Sequence, residues 1–174
     1  MRAVTRLAMQ MLSVVCALTC LACTTPKHAA AQPGDFPDLG GFAPVPAENY
    51  IEAPSRGLQY AHFSTPYNIQ CWFEAAEPVP AWHSQDINCL GDMPDANPCA
   101  VAKASPGSGP AYVINKTGDN CGAPYTRGLL LNAGQKLTYR DATCAVSADH
   151  LVACLDTSHG QHGFVFKPSG STAF

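Results

Sequence analysis

Two sets of residues in this chain have the types and spacing for chemistry. The first is "SHGQHGF" (158–164), in which two histidines three apart are each followed by glycine and lead into an apolar run. Imidazoles so placed can begin a zinc site, which needs three or four ligands and second partners that orient them. Asp156 lies on the same stretch as His159 and His162, and His150 or His83 is a donor available from elsewhere. No carboxylate or cysteine falls at ligand spacing beside the pair, so the expectation is a structural turn. In that reading Gly160 and Gly163 take backbone angles that other residues resist, and one histidine bonds the backbone ahead of the last strand. A metal-assisted hydrolase using His159 and His162 is the alternative.

The second set is the cysteines. Of nine, Cys16, Cys20 and Cys23 sit in an apolar leading segment, and six remain: Cys71, Cys89, Cys99, Cys121, Cys144 and Cys154. An even set in an exported chain reads as three disulfides, with 15 possible pairings. One pair follows from symmetry. If "TCAV" (143–146) and "LVAC" (151–154) are antiparallel strands about Ala148-Asp149-His150, residues whose numbers sum to 298 face each other, and Cys144 opposes Cys154. Directly opposed residues have Cα atoms about 4.5–5.5 Å apart, within reach of a disulfide. Cys71 and Cys89 match in the same way around a longer loop holding Pro78 and Pro80, which leaves Cys99 with Cys121 by elimination. With all six sulfurs paired, none is left as a thiolate nucleophile.

Other candidate chemistry is thinner. Ser147, Asp149 and His150 cluster, but adjacent positions in a tight turn do not place a base between two partners as a triad requires. There is no nucleophile elbow, phosphate-cradling glycine loop or HExxH helix, and no cofactor is expected. Trp72 and Trp82, near Gln70, Gln85 and Asp86, are candidate ligand-binding residues that could stack on a sugar ring; burial in a core is the competing reading. Asn115-Lys116-Thr117 fits an N-glycosylation sequon.

These residues must be positioned by short strands. Residues 1–31 read as a signal peptide: Arg2 and Arg6 precede the apolar "LAMQMLSVVCALTCLAC" (7–23), and Ala29-Ala30-Ala31 offers a cleavage site. Cys23 behind Ala22 is the alternative exit, a lipidated cysteine that would anchor the chain to the cell envelope. Residues 32–57 hold five prolines and no strand-length run, and read as an extended arm laying Phe36, Leu39 and Phe42 on the domain. Residues 58–174 carry alternating runs at 62–65, 68–74, 86–90, 111–115, 136–139, 143–155 and 163–167, separated by Pro, Gly, Asn and Asp. "ASPGSGP" (104–110) reads as a flexible loop. The fold class expected is mainly β, a small disulfide-stapled antiparallel sandwich or barrel behind an N-terminal arm. Within 68–74, alternation turns Ile69, Cys71 and Phe73 to the core and Gln70, Trp72 and Glu74 away from it.

Without residues 1–31 the chain has seven Lys/Arg against thirteen Asp/Glu, a net charge of −6. That balance and the lack of a basic cluster make nucleic acid and anionic lipid poor partners. No second apolar run approaches the length of a membrane span.

The order "FSTPYNIQC" (63–71), "INC" (87–89), "LLLNAGQKL" (129–137), "C…HLVAC" (144–154), "HGFVF" (162–166) and terminal "AF" resembles a family of small secreted, cysteine-rich proteins of mycobacteria and other actinobacteria. That family tends to read F-x-T/S-P-x-G-N-I-x-C, then a Leu-x-x-Gly stretch, a cysteine hairpin and a closing His-Gly-Phe segment. The arm "DFPDLGGF" (35–42) is similar to the start of its mycobacterial members. The resemblance implies export and a shared turn at His162-Gly163-Phe164; the family is a domain of unknown function, so no activity comes with it. Here the first motif lacks its glycine, Tyr67 standing directly before Asn68. The function expected is a secreted or envelope-associated, non-catalytic binding or structural module, with cell-wall glycan or an extracellular protein as partner. A secreted inhibitor or effector acting through its loops comes next, and the metal-assisted hydrolase last.

Overall fold

The computed structural model describes residues 34, 36–55, 58–74, 86–95, 100–109, 111–119 and 124–174. The leading segment with Cys23, and also Trp82, His83, Cys99 and Cys121, lie outside the described residues.

Short alternating runs bounded by turn residues make strands, and these stack as two sheets. One sheet is a meander of β3 (Leu58–Ser64), β4 (Ile69–Glu74), β5 (Ile87–Asp92), β6 (Ala100–Pro106) and β7 (Tyr112–Asp119), with β2 (Ile51–Ser55) antiparallel to β3 and β8 (Leu129–Leu130) parallel to it. The other runs β9 (Gln135–Tyr139), β10 (Ala142–Val146), β11 (Val152–Asp156), β12 (His162–Phe166) and β13 (Thr172–Ala173), with β1 (Ala43–Val45) parallel to β9. One buried cluster draws on both sheets, as the apolar face of each requires.

The register brings one row of each sheet to the centre. Across β3 to β7 the row is Phe63, Cys71, Cys89, Ala104 and Ile114. Across β9 to β13 it is Leu137, Cys144, Cys154, Phe164 and Ala173. Cys71–Cys89 and Cys144–Cys154 are both disulfides between directly opposed residues, each with Cα atoms 4.1 Å apart. The β10–β11 register pairs Ala142 with Asp156 and Val146 with Val152, the 298 sum throughout.

Three local expectations change. The segment taken as a strand-free arm contributes an edge strand to each sheet, β1 and β2, and two 3-10 turns, Leu39–Gly41 and Ala47–Tyr50. Prolines obscured this, yet edge strands tolerate them because an outer N–H needs no ladder partner. Phe36 does pack, against Leu151, Ala153 and Val165 and edge-on to Phe174 at 5.6 Å. The loop at 104–110 is also shorter than expected, since β6 runs to Pro106 before Gly107 N–H donates to the Ala111 carbonyl at 2.8 Å. Its composition suggested a loop, but Ala102 and Ala104 are fully buried, and Ala104 sits opposite Cys89, where a small side chain leaves room for sulfur. Finally, Gly163 is required by close approach rather than by φ: an added Cβ would collide with the Cys154 carbonyl oxygen.

Candidate ligand-binding face

Alternation along β4 buries Ile69, Cys71 and Phe73 and leaves Gln70 and Trp72 half-buried on the opposite, outer face. On that face the register aligns Trp72 with His62 of β3 and Asn88 of β5. Glu52 of β2 pairs with Tyr60 in the adjacent row. The rings of Tyr60 and His62 are 5.8 Å apart and tilted by 33°, and those of His62 and Trp72 are 6.2 Å apart at 38°. A strip of three adjoining rings therefore runs obliquely across two strands.

A charged group borders the strip. Glu52 Oε2 accepts a hydrogen bond from Arg127 Nη2 at 3.0 Å, and it also lies 3.1 Å from His62 Nδ1. The His62 contact is close but poorly directed for a hydrogen bond, so Nδ1 is left without a well-made one. The Arg127 hydrogen bond is the main reason the Glu52 carboxyl is held below its ordinary value. Burial is the main reason the His62 imidazole is held below its ordinary value, partly offset by the Glu52 charge. At neutral pH the face thus carries an anionic carboxylate, its guanidinium partner and a neutral imidazole.

Arg127 reaches this place because residues 124–130 lie along the β3–β4 end of the sheet. Tyr125 N–H donates to Asn68 Oδ1 at 2.7 Å and Arg127 N–H to Gln70 Oε1 at 3.3 Å. Gly128, at φ +84°, passes so close to the His62 backbone that an added Cβ would strike it. Sequence reasoning singled out Trp72 but missed Glu52, His62 and Arg127. Their convergence joins strands across 75 residues of sequence, and only the alternating "QYAHFS" of β3 hinted that Tyr60 and His62 share a face.

A concavity of about 420 Å³ lies at one end of the sandwich, lined by Pro66, Tyr67, Asn68, Asp92, Met93 and His150 among others. Tyr67, which stands directly before Asn68, stacks on His150 at 4.3 Å, and its hydroxyl donates to the Ser147 carbonyl at 2.5 Å. The left-handed turn residue is Asn68 instead, at φ 56°, a conformation Asn tolerates. Ser147 donates to Asp149 directly, while His150 is turned to Tyr67, so these three do not form a triad.

At the other end of β11, residues 158–161 form a turn, and His162, Gly163 and Phe164 open β12. Asp156 Oδ1 accepts from Ser158 N at 2.8 Å and Ser158 Oγ at 2.7 Å, and Thr157 N–H donates to the Asp141 carbonyl at 2.9 Å. These bonds hold the turn, rather than the histidine-to-backbone bond expected; His159 Nδ1 lies 3.2 Å from Ser158 Oγ. Among the described residues, the one set of three or more metal-ligating groups brought together is Cys71, Cys89 and Cys154, not Asp156, His159 and His162. Also among the described residues, no helix is long and apolar enough to cross a membrane. No protein-family model, no curated protein and no solved structure matches this chain.

Proposed function

We propose that this chain is exported and works at or beyond the cell envelope as a non-catalytic binding module, with the outer face of β2–β5 as its site. The observation that carries the reading is the strip Tyr60–His62–Trp72 beside the Glu52–Arg127 pair. A pyranose ring presents an apolar C–H face that stacks on aromatic rings, and hydroxyls that a carboxylate and a guanidinium can bond. Cell-wall glycan is the ligand class that fits. Export is supported by the paired cysteines, which persist in oxidising compartments, and by the resemblance to small secreted actinobacterial proteins.

Titration of the oxidised protein with soluble cell-wall glycan fragments tests this. Trp72→Ala is expected to weaken binding by about tenfold, the equivalent of about 1.4 kcal/mol, while leaving the melting temperature near that of the parent. Equal binding by parent and Trp72→Ala, or binding of no glycan by either, would reject the reading. The concavity at Tyr67 and His150 favours a second one, a protein partner met through the turns, because three separate turns supply its aromatic and apolar lining.

A further inference from the structure

The two disulfides do not lie side by side in one sheet; they meet across the core. Cys71, Cys89, Cys144 and Cys154 are all fully buried, and Cys89 Sγ is 3.9 Å from Cys154 Sγ in the opposite sheet. The sulfurs of Cys71, Cys89 and Cys154 lie within 4.8 Å of one another. Central rows of both sheets put sulfur where sandwiches ordinarily put aliphatic carbon, and the register makes the two pairs coincide.

We propose that these four sulfurs form a single thiol–disulfide exchange centre, in which a thiolate at Cys89 attacks Cys154 and converts a bridge within one sheet into a bridge between sheets. The step balances without an oxidant. Cys89 S⁻ forms a bond to Cys154 Sγ, the Cys154–Cys144 bond breaks, and Cys144 leaves with the electron pair as the new thiolate. In the intact protein, where Cys71 is fully buried, a small thiol begins it during transient opening of the sandwich, by attacking Cys71, releasing Cys89 as thiolate and leaving a mixed disulfide on Cys71. Attack of the Cys144 thiolate on that mixed disulfide then gives Cys71–Cys144 and returns the small thiol. Net, two intra-sheet bridges become two inter-sheet bridges, and the thiol is a catalyst. Fixed proximity favours the internal step, since the attacking and attacked atoms need no encounter. Metal binding by the same sulfurs is the weaker reading, because it requires both bridges reduced and several thiolate charges buried among Phe63, Leu137 and Phe164.

Cleavage after Lys and Arg separates the two native bridges completely. Cys71 and Cys89 both fall in the fragment 57–103, and Cys144 and Cys154 both fall in 141–174. The variant Cys71→Ser places a free thiol at Cys89 without any reagent. Its monomer, acid-quenched, alkylated and digested without reduction, is expected to show 57–103 linked to 141–174 through Cys89–Cys154, with alkyl label on Cys144. The link is expected to vanish in Cys71→Ser/Cys89→Ser, which sets aside any contribution from Cys99. Parent protein equilibrated with a little reduced glutathione gives the same readout with no substitution. Finding the linked fragments in either experiment supports the proposal. Finding label at Cys89 alone in the variant, and no linked fragments in the parent, overturns it.

Discussion

His62 is a buried imidazole whose nearest charge, Glu52, is shared with Arg127. Burial lowers its pKa below 6.5, and the Arg127 bond lowers that of Glu52 below 4.5. Well above pH 6.5 neither group binds protons in the folded or unfolded state, so stability is level there. As pH falls below 6.5 the unfolded histidine takes up its proton before the folded one, and stability declines; Glu52 adds a further decline below 4.5. The urea midpoint is therefore expected to fall between pH 7 and pH 5, and His62→Gln is expected to flatten that part of the profile. A midpoint that rises on acidification would contradict the burial argument. At this scale the sequence was informative where chemistry is periodic: alternation turned Trp72 outward. It was silent about His62, whose surroundings come from β2 and from Arg127, 75 residues beyond Glu52.

Between elements, the hairpin of β10 and β11 was the most legible part, because a short turn fixes register and register fixes which cysteine opposes which. Removing the bridge as Cys144→Ala/Cys154→Ala is expected to lower stability by about 3 kcal/mol, as the chain-entropy relation gives for a short loop. Denaturant unfolding checks it. The next strand is held just as closely. Gly163→Ala forces a methyl group into the Cys154 carbonyl and is expected to cost about 2 kcal/mol, as overpacking does, with no change in far-ultraviolet circular dichroism. What could not be read from local sequence included β1, β2 and β6. Two of these are proline-bearing edges, and the third owes its place to alanines that fit beside sulfur, a property of the partner strand rather than of the segment itself.

For the whole molecule, the two meanders explain why so much of a loop-rich chain folds together: each sheet supplies one apolar face, and the faces close on four sulfurs and a shell of aromatic rings. The contact between the last strands and β7 seals one side, with Tyr112 N–H donating to the Phe174 carbonyl at 3.3 Å and Tyr112 Oη approaching the buried Asp156 carboxylate at 3.4 Å. Length and composition pointed to a disulfide-stapled β domain because alternating short runs and an even cysteine set are local properties. The facing of one bridge on the other is a property of the assembled sandwich, and no segment carries it alone.

The direct test of the staple is thermal unfolding of the protein folded with its bridges intact and again after equilibration with excess dithiothreitol. Loss of the two described bridges is expected to lower the midpoint by about 15 °C or more, from about 3 kcal/mol each. A midpoint unchanged by full reduction, with free thiols confirmed, would show that the sandwich stands without its sulfur core and contradict the account.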